Sequence, residues 1–127
     1  MQTIYTKNAP QPAGHYSQAI IHNELIYVSG QLPIHPKSGE KCLGSIEDQT
    51  KQTIENVASI LDACDSSLKN VLKSTVYISD INLWTRVNRV YSDYFAEHRP
   101  ARVVVPTKEL HHGFKIEIEA IAAVKQD

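Results

Sequence analysis

The sequence predicts an α+β fold in which one mixed sheet carries two helices on the same face. Three observations carry that prediction. Apolar runs of strand character lie near both ends, over residues 19–28 and 115–124. Two amphipathic stripes at helical spacing fill the middle of the chain. A β-type segment follows each stripe, over residues 71–78 and 102–105. Two hairpin strands, a helix, a strand, a helix and two strands make an α+β sandwich.

Each element has a local reason. Ala19-Ile20-Ile21 and Leu25-Ile26-Tyr27-Val28 flank the polar His22-Asn23-Glu24, which reads as a hairpin. The next stretch, "SGQLPIHPKSGEKCLG", is punctuated by Gly30, Pro33, Pro36, Gly39 and Gly44 and predicts an ordered loop. Ser45-Ile46-Glu47-Asp48 resembles a capping box, with a hydroxyl for free N–H groups and acids at the positive helix end. The first stripe is Ile46, Ile54, Val57, Ala58, Leu61 and Cys64, filled in by Thr50 and Thr53. Asp80 or Asn82 can cap the second helix, whose stripe is Leu83, Val87, Val90, Tyr91, Tyr94 and Phe95. Pro100 excludes its continuation. In "KIEIEAIAAV", Ile116, Ile118 and Ala120 alternate with Lys115, Glu117 and Glu119, giving the last strand an unusually charged second face. One layer of helices leaves the far face of the sheet open, and a domain of this size commonly covers such a face by symmetric association. A homo-oligomer is expected.

The bulk properties narrow the function. A chain of 127 residues suits one domain, read as 1–127. Thirteen basic against fourteen acidic side chains leave a net charge of −1, without a run that could follow a phosphate backbone, so nucleic acid is not the expected partner. Met1-Gln2-Thr3-Ile4 lacks a basic-then-apolar leader pattern, and no stretch approaches the roughly 20 apolar residues of a membrane span. The expectation is a soluble, cytoplasmic protein. Cys42 and Cys64 lack CxxC spacing and a histidine cluster, and read as buried or incidental thiols.

Chemistry is suggested first by "HRPARVVVP". Arg102 stands between a helix-breaking proline and three valines, where an unpaired guanidinium is costly to bury and needs a partner. Its planar fork can hold a carboxylate through two charge-assisted hydrogen bonds, while Val103 to Val105, with Val104 at their centre, supply backbone groups and apolar walls. The alternative is a salt bridge to Glu117 or Glu119. Glu117 can orient or deprotonate a water if it reaches the cavity Arg102 serves; otherwise it is solvated or paired with Lys115. Tyr16 offers an aromatic wall with a hydroxyl, Asn88 an amide beside the second stripe, and Gly30, after Ser29, close backbone approach to a ligand. His111 and His112 are adjacent, without i, i+4 spacing or a third ligand, so no metal site is expected. "VSGQL" lacks the GxSxG elbow of a serine triad.

Taken in order, "GHYSQAI", "YVSGQLPIHPKSGE", "VYISDINLWTRVNRVYSDYF", "RPARVVV" and "KIEIEAIA" resemble the RidA/YjgF family of imine and enamine deaminases over nearly the whole chain. The resemblance implies a chorismate-mutase-like fold, a mixed six-stranded sheet with two helices on one face, assembled as a homotrimer with active sites in clefts between neighbours. It implies hydrolysis of 2-aminoacrylate and related 2-imino acids, released by pyridoxal-phosphate enzymes, to 2-keto acids and ammonia, without metal or cofactor. By motif, Arg102 matches the carboxylate-binding arginine, Glu117 the water-positioning acid, Tyr16 the tyrosine after the first glycine, Asn88 the asparagine of the second helix, and Ser29 and Gly30 the "SGQ" loop. In such a reaction, backbone groups near Val104 are expected to hydrogen-bond the imine nitrogen. The chain departs from the common pattern at Val104, where many members carry cysteine, at His15, where proline is usual, and in the "VPTKELHHGF" loop. The competing expectation is a non-catalytic module of the same fold that binds a 2-keto acid or amino acid and regulates another protein.

Overall fold

The predicted hairpin forms as β2 (Ala19–His22) and β3 (Leu25–Gln31), paired antiparallel from Ala19↔Val28 to His22↔Leu25 in a computed structural model that describes residues 1–125. Asn23 and Glu24 form its turn at φ of 50° and 66°; left-handed backbone at both positions follows the right-handed twist of the strands. β3 runs three residues beyond its predicted end. Ser29, Gly30 and Gln31 are strand, not loop, because the glycine sits in a bulge: Val28 pairs with Ala120 and Gln31 with Ile118, so Ser29 and Gly30 together face one residue. A further strand, β1 (Gln2–Ile4), pairs with β2; at three residues it is too short to show a period.

Helix α1 (Ile46–Ala63) starts as its cap predicts, with the Ser45 hydroxyl accepting from the Asp48 N–H at 3.1 Å. Ile46, Thr50, Thr53, Ile54, Val57 and Leu61 are buried, joined by Ile60, Gln49 and Asn56; Ala58 is only half-buried. The two threonines donate back to the carbonyls of Ile46 and Gln49, which satisfies their hydroxyls in the core. Strand β4 (Val71–Ile78) follows. Asp80 caps a one-turn 3-10 helix, Ile81–Leu83, rather than the long helix itself, and that turn runs directly into α2 (Trp84–Phe95). The chain returns as β5 (Ala101–Pro106), parallel to β4, and closes with β6 (Ile116–Ala123).

The sheet order is β1-β2-β3-β6-β4-β5, so the last strand lies in the centre and β5 forms an edge. Ile26, Val28, Val76, Ile78, Ile116, Ile118, Ala120 and Ala122 are buried on the helix face, against Ile54, Val57, Ile60 and Leu61 of α1 and Val87 and Tyr91 of α2. Each large aliphatic side chain so buried contributes about 1.5–3 kcal/mol. The opposite face is open as expected. Tyr27 and Val103 on it are 44% and 45% exposed, and Glu117, Glu119, Tyr77 and Ile121 lie between them in the register of β6 and β4.

Candidate active site

Three buried amides shape a cavity over the open face. Gln18 accepts from the Thr6 N–H at 2.7 Å and donates to the carbonyl of Pro10 at 2.9 Å, tying down the segment before β2. Asn56 on α1 donates to the carbonyls of Leu32 and Ile34 at 3.0 and 2.9 Å, holding the chain after β3. Gln49 accepts from the Lys115 N–H at 2.9 Å and donates to the Gly44 carbonyl at 3.0 Å, fixing the approach to β6. All three residues are 1% exposed, and leaving any one of their partners unsatisfied costs about 1–3 kcal/mol. The loops they hold wall a cavity of about 480 Å³ that gathers Tyr16, Ser29, Gly30, Glu117, His111 and His112.

Inside this cavity Glu117 lies against the β3 bulge. A Cβ built on Gly30 would stand 2.2 Å from Glu117 Oε2, so the glycine's close approach is to this carboxylate. Burial pushes the Glu117 carboxyl above the ordinary carboxylate range; the charge of His111 draws it down, and Glu119 adds a smaller upward push. Glu119 itself accepts from the Tyr77 hydroxyl at 2.7 Å. Ser29 donates its hydroxyl to the Ser17 carbonyl at 2.5 Å, and the half-exposed Tyr16 accepts from the Ala13 N–H at 3.3 Å.

Arg102 lies elsewhere. It stands level with Ser74 of β4, on the helix face, while Glu117 is on the open face. Helix α2 supplies its surroundings: Nη1 donates to Asn88 Oδ1 at 2.9 Å, and Cζ lies 4.7 Å from the Tyr91 ring centroid and 5.3 Å from that of Trp84. The Tyr91 and Ser74 hydroxyls pair at 2.6 Å beneath it, and burial pushes the Tyr91 phenol upward. A cavity of about 510 Å³ adjoins the guanidinium, lined also by Asn88, Phe95, His98 and Arg99. Val104 packs partly buried against the core, and its strand has an unpaired edge.

The alternative of a salt bridge from Arg102 to Glu117 or Glu119 fails on geometry, because the sheet separates them. Among the described residues the one ion pair joins Arg86 to Glu47. Arg102 is therefore half-buried with a neutral amide and two rings, and its charge has no acid against it. The structure brings together Tyr16, Ser29, Gly30 and Glu117 in one cavity and Asn88 with Arg102 in another. Sequence reasoning missed Trp84 and the three amides, and singled out His111 only as a metal ligand to be excluded and as part of the divergent "VPTKELHHGF" loop. A tryptophan four residues after the Asp80 cap, on the helix that carries Asn88, was the one available signal for the first of these.

The sequence model of a family described as Endoribonuclease L-PSP matches residues 6–124. A RutC family protein of Pyrococcus horikoshii is 49% identical over 121 residues, spanning 95% of this chain and 96% of that one. A human protein named 2-iminobutanoate/2-iminopropanoate deaminase is 40% identical, spanning 95% and 88%. The crystal structure of Escherichia coli TdcF with bound serine superposes with a TM-score of 0.93 at 35% identity, covering 98% of this chain and all of that one.

Proposed function

The chain belongs to the YjgF/RidA family, the one described as Endoribonuclease L-PSP, and from that premise we propose that it hydrolyses 2-imino acids and their enamine tautomers, such as 2-aminoacrylate, to 2-keto acids and ammonia. The observation that carries this reading is Arg102: a half-buried guanidinium, stacked and oriented, with a cavity beside it and no acid to neutralise it. Such a group suits the carboxylate of a small acid, held by two parallel hydrogen bonds. The structure of TdcF with bound serine supports the same ligand class, since serine is a three-carbon acid with an α-carboxylate.

The site is assembled between subunits. Arg102 and Glu117 point from opposite faces of one sheet, too far apart for a three- or four-carbon acid to touch both, so the Glu117 that meets the substrate comes from a second copy. The exposed Tyr27 and Val103 on the open face suit burial against neighbouring sheets, and the likeness to the family makes that assembly a homotrimer with three such clefts. Its setting is the cytoplasm, where pyridoxal-phosphate dehydratases release these intermediates.

Arg102 fixes the carboxylate, which turns attack at C2 into a positioned encounter. Glu117 takes a proton from water as the oxygen bonds to C2 and the C=N electron pair moves to nitrogen, where backbone groups near Val104 receive it by hydrogen bonding. The proton then passes from Glu117 to nitrogen. As the C–N bond breaks, the hydroxyl proton of the carbinolamine is relayed through Glu117 to the nitrogen, so that ammonia leaves and the C=O of the 2-keto acid forms. Tyr16 and Ser29 line the water side, and Asn88 keeps the guanidinium in plane.

The test couples a serine or threonine dehydratase to this protein and follows decay of the imine. Acceleration by the wild type is expected, and Arg102→Ala loses about 2–4 kcal/mol of transition-state binding, roughly 30- to 1000-fold in rate. No acceleration by the wild type, with pyruvate still bound, would turn the reading to a binding module.

A further inference from the structure

We propose that Tyr91 is the positioning residue that aims Arg102 at the substrate carboxylate. This rests on the deaminase reading, in which Arg102 holds that carboxylate. The guanidinium stands at the end of a long, rotatable side chain, and among the described residues no acid pairs with it. Asn88 guides the fork through one hydrogen bond, at Nη1, about which it can still swing. Two parallel bonds to a carboxylate need the fork held at a second point.

Tyr91 supplies that point and is itself fixed. The ring is buried, and Arg102 Cζ lies over it, 4.7 Å from the centroid. Phe95, one helical turn later, stacks on the same ring at 4.3 Å with 20° between the planes. The Tyr91 hydroxyl pairs at 2.6 Å with that of Ser74, a buried residue of β4 that stands level with Arg102 in β5. That bond ties α2 to the sheet at the arginine's own position, so a shift of the helix cannot carry the ring away from the guanidinium. Trp84, the other ring near Arg102, is farther away and exposed, so the buried tyrosine is the fixed surface. A cation over an aromatic face is held by the ring quadrupole, more strongly where water is excluded. Unlike an acid, the ring orients the guanidinium without neutralising the charge a carboxylate must meet.

The experiment compares wild type, Tyr91→Leu and Tyr91→Phe in pyruvate binding by calorimetry, imine hydrolysis and urea denaturation. Tyr91→Leu removes the ring face, so the Kd for pyruvate and the KM for 2-iminopropionate should both rise roughly 3- to 30-fold, with kcat nearly unchanged. Tyr91→Phe keeps the face but leaves the Ser74 hydroxyl without its partner, so it should lose stability and hold its Kd near wild type. A merely structural tyrosine would lower the active fraction, hence kcat, in both variants and leave KM alone. In the wild type the Arg102 side-chain protons should carry an upfield ring-current shift in NMR spectra, retained in Tyr91→Phe. Absence of that shift overturns the proposal even where the leucine variant fails to fold, and so does an unchanged Kd in Tyr91→Leu or an equal rise in Tyr91→Phe. If pyruvate binding weakens in Tyr91→Leu alone but the wild type hydrolyses no imine, the deaminase reading falls and the role of Tyr91 stands.

Discussion

Replacing Gly30 by alanine should separate catalysis from stability. The added Cβ would lie 2.2 Å from Glu117 Oε2 and 3.1 Å from its Cδ, whereas such contacts are normally above 3 Å. The carboxylate must therefore withdraw by about 1 Å, a misplacement that can cost on the order of 10²-fold in rate. The fold has little reason to object. The atom met is the end of a flexible, half-buried side chain, and Gly30 is not one of the left-handed glycines, which among the described residues are Gly39 and Gly113. An alanine there restricts the unfolded chain and offsets the local crowding by about 0.4–1 kcal/mol. Urea denaturation should give a midpoint close to wild type, while the dehydratase-coupled assay shows turnover down roughly 100-fold and KM little changed. An alanine variant that hydrolyses 2-iminopropionate at the wild-type rate would refute the placement of Glu117 in the reaction.

Three further outcomes are expected. Trp84 is the only tryptophan and lies 5.3 Å from Arg102, so its fluorescence should change as pyruvate binds, equally in Glu117→Gln, and not at all in Arg102→Ala. A signal retained in Arg102→Ala would place the carboxylate elsewhere. Gln18→Leu leaves the Thr6 N–H and the Thr6 and Pro10 carbonyls without their partner and should destabilise by about 1–3 kcal/mol in chemical denaturation; no loss would mean those groups are readily rehydrated. Glu47 is held down at about 2 by its hydrogen bonds from Arg86, so its contribution to stability is complete above pH 4.5 and lost as pH falls toward about 2. Arg86→Gln should flatten the fall of Tm across that window, more visibly at low salt, and an unchanged slope would show the exposed pair to be inert.

The fold was legible where patterning and chemistry coincide. The Ser45 cap, the two helical stripes, the strand over 71–78 and the in–out alternation of Ile116 to Ala120 each announce an element, because periodicity follows directly from which face is buried. The bulge at Ser29 and Gly30 was read as loop, since a glycine inside a strand looks locally like a breaker and only the pairing with β6 reveals its use. Gln18, Gln49 and Asn56 were invisible for the opposite reason: amides in a polar context read as surface, and their burial depends on backbone groups brought in from distant loops. Arg102 and Glu117 could be singled out individually, but not their separation. That separation comes from strand register, which sets Arg102 beside Ser74 and Glu117 beside Tyr77 on opposite faces.

The most direct measurement mixes two inactive proteins. Arg102→Ala and Glu117→Gln are unfolded together, refolded as an equal mixture, and assayed for imine hydrolysis. If each cleft takes its guanidinium from one subunit and its carboxylate from the next, about a quarter of the clefts are intact and about a quarter of wild-type activity returns. Recovery no greater than that of either variant refolded alone would contradict a shared cleft.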